Sequence, residues 1–261
     1  MSVKLGIIGV GAIAGYMVKG LMAKCDKDLD ICLSPRGVAQ VAELVRLFPC
    51  IREMPTNQAV LDEAEWILLA VRPQDAEEAL QSLRFSAKHK VLSVIAMTPL
   101  ARLQALTRPV SVFVRMIPLP FIERRSGPIV IYPGNQEILA LFEGMGRIVI
   151  PQNEDSLDVL SAISSSMSPF YRVVGQVAGW GMENGLDAET ATAYTLAFYS
   201  ALLETCANTQ PAEVGGLWRE MTPGGLNARA TEVMEAGGGF EIWKNALDEV
   251  KARIRRQGQG T

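Results

Sequence analysis

Histidine is nearly absent from this chain of 261 residues, and its cysteines are few. The one histidine is His89, and the cysteines form no C-x-x-C pair; they are Cys25, Cys32, Cys50 and Cys206. Zinc sites need closely spaced Cys and His ligands, so we expect no metal site. Unpaired thiols are ordinary in a reducing compartment, and the sequence therefore favours a cytoplasmic location.

A basic excess and a long apolar run are also missing. The chain has 25 Lys and Arg against 28 Asp and Glu, a net charge of −3, so no nucleic-acid partner is expected. No run approaches the roughly 20 apolar residues of a membrane span, so we expect no membrane partner. The apolar N-terminus lacks the basic flank and cleavage pattern of a secretory signal. An anionic cofactor could still be bound through local groups.

Strands and helices alternate through the first half. "VKLGIIG" is a continuous apolar run, typical of a buried parallel strand, and a helical pattern follows it; the unit recurs as far as "VSVFVRMI". This alternation predicts an α/β fold whose N-terminal part is a Rossmann-type, doubly wound parallel sheet.

The second half reads as helix. We predict one long helix from about Asp155 to Gly185, a second after the N-cap residue Asp187, and a disordered polar tail, "RRQGQGT". The predicted domains are a dinucleotide-binding domain, 1–152, and an all-helical substrate and dimerisation domain, 153–261. Because such apolar helices exceed what one small core can bury, we expect a homodimer or a higher homo-oligomer.

The segment "GIIGVGAIAG" has the G-x-G-x-x-A spacing directly after a strand. Gly9 permits the tight turn, Gly11 lets the backbone approach a pyrophosphate, and Ala14 allows close helix–strand packing. Ala12 and Ile13 open the helix, whose N-terminus attracts negative charge. The pattern predicts a dinucleotide site.

The end of the second strand, "CLSPRG", indicates which dinucleotide is preferred. NAD sites usually carry Asp or Glu here, whereas this chain has Ser34 and Arg36. Arg36 can pair with the 2′-phosphate of NADPH and Ser34 can donate a hydrogen bond to it, which favours NADPH. Arg36 as a solvated residue at a helix start is the alternative.

A later strand ends in "AVRP", where the crevice of a doubly wound sheet should lie. We expect the backbone of Ala70, Val71, Arg72 and Pro73 to contact nicotinamide or ribose. For Arg72, a surface loop position is an equally open interpretation.

Acid–base residues are scarce. Oxidation of an alcohol needs a general acid or base, usually His or Lys, but His89 lies in a charged loop where we expect it to be solvated. Beyond Pro151 the only lysines are Lys244 and Lys251, both in an amphipathic final helix. Reduction of a protonated imine demands less, because positioning does most of the work. The polar segments "ISSSMSPFY" and "TPGGLNA" suit that chemistry.

Five segments, "SPR", "AVRP", "VRMIPLP", "SSMSPFY" and "MTPGGLNA", together with the glycine turn, resemble pyrroline-5-carboxylate reductase, the NADPH enzyme of the last step of proline synthesis. The resemblance spans almost the whole chain. It implies an imine carboxylate substrate cradled by the "TPGGLN" loop and a site that a neighbouring subunit helps to complete. The implied catalytic residues are Thr222, Asn227 and Ser168. The implied substrate-binding residues are Gly224, Gly225 and Met167.

The chain departs from the family pattern mainly in its substrate half. Leu226 and Asn227 replace an adjacent Thr-Thr pair, and only Asn227 can still donate a hydrogen bond. The substituted positions are largely apolar: Leu119, Phe121, Met167, Phe170 and Leu226. We therefore expect a divergent member that reduces pyrroline-5-carboxylate or a bulkier, less polar cyclic imine.

Three other functions stay open. A 3-hydroxyacid or 6-phosphogluconate-type dehydrogenase would need a lysine in the long helix, which has none. A non-catalytic NADP-binding accessory or sensor protein would keep the cofactor half alone. A reductase with a deazaflavin donor shares the glycine turn and the basic residue, but the long helical domain disfavours it.

Overall fold

The structure, a computed structural model, describes residues 3–24 and 29–258. Its strands are β1 Val3–Ile8, β2 Leu29–Leu33, β3 Ile51–Glu53, β4 Trp66–Leu69, β5 Lys90–Ser93, β6 Val112–Ile117, β7 Pro128–Tyr132 and β8 Arg147–Val149. They form one sheet in the order β3-β2-β1-β4-β5-β6-β7-β8. All neighbours are parallel except β6 and β7. The predicted doubly wound sheet is confirmed, except that β7 and β8 run antiparallel to the other six strands, which the sequence did not indicate.

The helices of the sheet region are α1 Ala12–Lys24, α2 Val38–Leu47, α3 Asn57–Glu63, α4 Ala76–Leu80, α5 Leu100–Leu106 and α6 Gln136–Phe142. They are followed by α7 Asp155–Ser164, α8 Met167–Glu183, α9 Ala188–Asn208, α10 Leu226–Ala236 and α11 Glu241–Gly258. Short 3-10 helices are Pro73–Asp75, Pro120–Arg124 and Val214–Glu220. The strand order reverses between β1 and β4, so their carboxyl ends mark the crevice where such sheets bind ligands.

Helices cover both faces of the sheet, because successive strand residues alternate between two buried clusters. Leu92 of β5 packs in one cluster with Met17 of α1, whereas the adjacent Val91 packs in the other with Leu80 of α4. Strands buried on both faces need continuous apolar runs, which explains the pattern seen in the sequence.

Two compact units make up the chain. One contains the described residues up to Ser161 together with 253–258, and the other is Ala162–Ala252. The boundary predicted at residue 152 stays a prediction. Within the described part of the chain, no helix is both long enough and apolar enough to cross a membrane.

Two predictions for the helical half are wrong. The expected helix from Asp155 to Gly185 is broken after Ser164, where the hydroxyls of Ser165 and Ser166 donate to carbonyls three residues back, at 2.6 and 2.7 Å. Such bonds compete with the helical hydrogen-bond ladder. The tail expected to be disordered is helical through Gly258, with 259–261 outside the described residues. The start of α9 is as predicted: the Asp187 carboxylate accepts the Thr190 N–H at 2.9 Å.

The cysteines that the structure describes, Cys32, Cys50 and Cys206, are free thiols, and Cys25 lies outside the described residues. Burial raises the pKa of the Cys32 thiol to about 11. Its sulfur lies 3.8 Å from the Val60 carbonyl. Cys32 is therefore protonated at neutral pH and acts as a small core residue.

His89 is buried, with 3% of its surface exposed, so the prediction that it is solvated is wrong. Its Nδ1 accepts the Ser86 N–H at 3.1 Å, and its Nε2 lies 3.1 Å from the Leu61 carbonyl oxygen. This arrangement requires the neutral tautomer with the proton on Nε2. Burial lowers the pKa of His89 below its usual value of 6.5.

The buried His89 should make stability depend on pH. Unfolded chains take up a proton on histidine below about pH 6.5, whereas folded His89 resists it, so stability is lost as pH falls from 6.5 towards the lowered pKa. In His89→Gln the amide cannot titrate, and the loss between pH 7 and 5 should shrink. Thermal unfolding of both proteins across this range measures it. Parallel pH profiles for the two proteins would contradict the assignment.

Candidate functional site

The glycine turn after β1 has a backbone that only glycine fits at its first position. Gly9 has φ +89°, and a Cβ there would lie 2.7 Å from the Val71 amide nitrogen. A Cβ on Gly11 would meet nothing within 4 Å, so this residue faces open space. The turn leads directly into α1 and brings the helix N-terminus to the carboxyl edge of the sheet. Ala14 is fully buried beneath it, as predicted for close packing.

The end of β2 meets this turn. The Ser34 hydroxyl accepts the Gly9 N–H at 3.0 Å, and Ser34 is fully buried. Arg36 is exposed, and no ion-pair partner for it is found among the described residues. Gly37 has φ +91°, and a Cβ there would lie 2.1 Å from the Val10 carbonyl oxygen. Sequence reasoning missed Gly37, although a glycine between "SPR" and a helical pattern was the available signal.

A cleft of about 400 Å³ opens above these loops. It is lined by Gly9, Val10, Gly11, Arg36, Gly37, Ala70, Val71, Arg72, Asp75 and Glu78. Ala12 is exposed and Ile13 half-buried at the adjoining helix start, and Pro73 begins the 3-10 helix after β4. The structure therefore brings the predicted cofactor residues to one edge of the sheet, except that Ser34 and Ala14 lie beneath the surface.

The charges of the cleft suit an anion at one end. Arg72 donates to the Asp75 carboxylate at 2.8 Å, which offsets its charge, whereas Arg36 is unpaired in the described structure. Free N–H groups at the start of α1 and the open space at Gly11 can accept a pyrophosphate. These residues fit a dinucleotide with an additional phosphate near Arg36.

The "VRMIPLP" segment forms β6 and its exit. Arg115 is buried and donates to Glu154 at 3.0 Å, and the same carboxylate oxygen accepts the Leu100 N–H at 2.7 Å. Leu119 precedes the 3-10 helix Pro120–Arg124. This network joins β6 and the start of α5 to Glu154, the residue that precedes α7.

The predicted substrate residues lie in the helical unit at two helix starts. Met167 is half-buried and Ser168 is exposed in the first turn of α8. In the same turn, Phe170 packs edge-on against Tyr199, with the two ring centroids 6.1 Å apart. Thr222 is exposed in the loop before α10. Among the described hydrogen bonds, none joins the start of α8 to that loop. The catalytic and substrate-binding roles of these residues stay predictions.

The loop before α10 is a tight turn with open backbone donors. The Gly225 N–H donates to the Thr222 carbonyl at 3.0 Å, and Gly224 has φ +71°. Gly225 is the N-cap of α10 and gives no side-chain cap, so the first N–H groups of the helix lack a side-chain acceptor from it. The Asn227 amide donates to the Met221 sulfur at 3.3 Å, and Leu226 is 92% exposed. The loop can present N–H donors to a carboxylate.

Two family models match the chain, one in each half. Residues 4–97 match the family described as NADP oxidoreductase coenzyme F420-dependent. Residues 154–257 match pyrroline-5-carboxylate reductase dimerisation. A pyrroline-5-carboxylate reductase of Synechocystis sp. is 27% identical over 98% of this chain and 97% of its own length. The chain is a divergent member of the pyrroline-5-carboxylate reductase family.

Solved pyrroline-5-carboxylate reductases share the fold. The enzyme of Streptococcus pyogenes has a TM-score of 0.86 at 20% identity, covering 98% of this chain and 99% of its own. The enzyme of Plasmodium falciparum, solved with NADP bound, has a TM-score of 0.84 at 18% identity, covering 98% of both chains. The predicted combination of a Rossmann-type sheet and a helical dimerisation domain is confirmed for this pyrroline-5-carboxylate reductase family member.

The helical unit of this family member exposes many large apolar side chains. Those at least 49% exposed include Trp180, Tyr194, Leu196, Phe198, Leu203, Leu226 and Val233. Exposed apolar surface on this scale marks an interaction site. With the match to the dimerisation family, it supports homo-oligomerisation through this unit.

Proposed function

We propose that this protein is an NADPH-dependent reductase of a cyclic imine carboxylate, of the pyrroline-5-carboxylate reductase type, acting in proline biosynthesis or on a related imine. The observation that carries the proposal is the cleft at the carboxyl edge, where the glycine turn lies beside the unpaired, exposed Arg36. Family membership supplies the reaction class, reduction of a C=N bond.

The residues of the cleft bind and orient the cofactor. The open backbone at Gly11 and the start of α1 hold the pyrophosphate, and Arg36 pairs with the 2′-phosphate. The loop from Ala70 to Pro73 contacts the ribose and nicotinamide. When bound, NADPH supplies a hydride to the imine carbon; with one proton on nitrogen, the products are an amine and NADP⁺.

The acid–base inventory favours an imine over an alcohol. His89 precedes β5 and so lies at the amino edge of the sheet, opposite the cleft, with both ring nitrogens already hydrogen-bonded. Helices α7 to α10 contain no lysine. A protonated imine already carries the positive charge that attracts hydride, so it can react without a histidine or lysine donor.

The loop before α10 is proposed to hold the substrate carboxylate. Gly224 and Gly225 have no side chains to cover the backbone. The first N–H groups of α10 lie at the positive end of the helix dipole, where they can bind an anion. Thr222 and Ser168 supply hydroxyl groups. The Asn227 amide donates one hydrogen to the Met221 sulfur, and its second hydrogen can be donated to the substrate.

Apolar side chains at the starts of α8 and α10 favour a substrate with an apolar body. Leu226 at the helix start is almost fully exposed, and Met167 stands in the first turn of α8. Exposed apolar side chains gain free energy when a ligand or a second subunit covers them. We infer an imine that carries a carboxylate and as much apolar surface as pyrroline-5-carboxylate or more, and a homodimer that buries the helical unit.

Steady-state consumption of NADPH with pyrroline-5-carboxylate tests the proposal. We expect turnover on the order of 1 per second or more, followed by nicotinamide absorbance, with NADH clearly poorer. Larger cyclic imine carboxylates assayed in parallel report the apolar preference. Retained NADPH binding without turnover of any imine would contradict the proposal and favour a non-catalytic NADP-binding protein.

A further inference from the structure

Ser34 and Arg36 are two residues apart in the loop after β2, but only Arg36 lies at the protein surface. Arg36 is exposed at the cleft, whereas Ser34 has no exposed surface. The Ser34 N–H donates to the Ile7 carbonyl at 2.9 Å and continues the pairing of β2 with β1 by one residue. The backbone therefore fixes Ser34 beneath the glycine turn and turns its side chain away from the cleft.

The Ser34 hydroxyl satisfies the first amide of the turn. Its oxygen lies 3.0 Å from the Gly9 nitrogen. Gly9 is confined from the other side, because a Cβ there would lie 2.8 Å from the Ala70 carbonyl carbon and from a Val71 methyl. Its N–H is thus bonded inside the protein, and the later N–H groups of the turn and of α1 are left for a ligand.

We propose that Ser34 is a positioning residue for the dinucleotide, which holds the glycine turn through the Gly9 N–H and makes no contact with the 2′-phosphate. This inference rests on the proposed function and refines it. Recognition of the 2′-phosphate then belongs to Arg36, while Ser34 acts on the pyrophosphate site that NADPH and NADH share. Loss of the Ser34 hydroxyl therefore lowers the affinity for NADPH and for NADH by the same factor.

The decisive variant is Ser34→Ala, with dissociation constants for NADPH and NADH measured by isothermal titration. An unsatisfied buried donor distorts the turn, and we expect both constants to rise on the order of tenfold with their ratio unchanged within about twofold. Ser34→Thr keeps the hydroxyl and should restore both. Titration reports the number of binding sites separately, so a partly unfolded preparation does not imitate weaker binding.

Thr56→Ala is the matched control. The Thr56 hydroxyl likewise accepts a backbone N–H, that of Ala59 at 3.1 Å, but at an exposed position at the start of α3 that does not line the cleft. Its loss should leave both dissociation constants unchanged. Any comparable weakening in Thr56→Ala would show a general loss of stability and overturn the positioning role.

Two results with Ser34→Ala also overturn the inference. Selective weakening of NADPH would mean that the hydroxyl reaches the 2′-phosphate, and unchanged binding of both cofactors would mean that the Gly9 bond is dispensable. A wild-type protein that binds neither dinucleotide would instead contradict the proposed function. In the double variant with Arg36→Ala, the two effects on NADPH should multiply, as for independent contributions.

Discussion

Replacing Arg36 by alanine is expected to lower the affinity for NADPH by roughly 10- to 100-fold, the range for a lost hydrogen bond to a charged group. The affinity for NADH should change by no more than about twofold. The two cofactors differ only at the 2′-phosphate, and Arg36 is the cleft arginine whose charge no carboxylate offsets in the described structure. Titration of both cofactors into both proteins measures the change. Because the residue is exposed, added salt should reduce the difference.

Arg72→Ala is the matched control for this experiment. Arg72 lines the same cleft, but its side chain is 74% exposed and bonded to Asp75 at 2.8 Å. Its removal should therefore change the ratio of NADPH to NADH affinity very little. If Arg36→Ala weakened the binding of both cofactors equally, Arg36 would not recognise the 2′-phosphate. A selective loss of NADPH binding in Arg72→Ala would contradict the assignment in the same way.

The cofactor half was predictable because its constraints are local. The end of the strand, the Gly-x-Gly turn and the first turn of the helix all fall within about ten residues. The spacing of Gly9 and Gly11 therefore predicts the backbone geometry of the dinucleotide site. The direction of the Ser34 side chain was not predictable in the same way. It depends on the pairing of β2 with β1, which the letters "SPR" do not encode.

The sequence did not predict the burial of His89, because that burial depends on tertiary contacts. His89 stands among charged residues and reads as solvated, yet the Leu61 carbonyl and the Ser86 N–H, one of them 28 residues away, enclose its ring. The break after α7 was missed because the apolar pattern continues across it. Serine hydroxyls at 165 and 166 interrupt the ladder without changing that pattern.

The helical unit was predictable in type and harder to interpret in detail. The apolar excess of α8 and α9 indicated a partner, and their exposed side chains agree with the match to the dimerisation family. The resemblance implies a substrate site shared between subunits, and the members of such a site need not contact one another within one chain. Roles for Ser168 and Thr222 therefore rest on resemblance.

Replacing Gly225 by valine is expected to lower kcat/KM for the imine at least about 100-fold, since misplacement of a substrate by about 1 Å can cost that much. The backbone of Gly225, with φ −77° and ψ 179°, is one that valine adopts without strain. The added Cβ would lie 3.0 Å from the Thr222 carbonyl oxygen, at the N-cap of α10, where the first N–H groups of the helix have no side-chain cap from residue 225. NADPH affinity should stay within about twofold, because the proposed cofactor residues belong to the other unit.

Gly237→Val is the control at the opposite end of the same helix. Gly237 is the C-cap of α10, also with negative φ, and a Cβ there would lie 3.4 Å from the Val233 carbonyl oxygen. The same added volume should leave turnover within a few-fold of wild type. If both variants lose turnover while unfolding at lower temperature, α10 matters through stability alone. Loss confined to Gly225→Val, with NADPH still bound, assigns the loop to the substrate, because only there does the added branch lie at the start of α10.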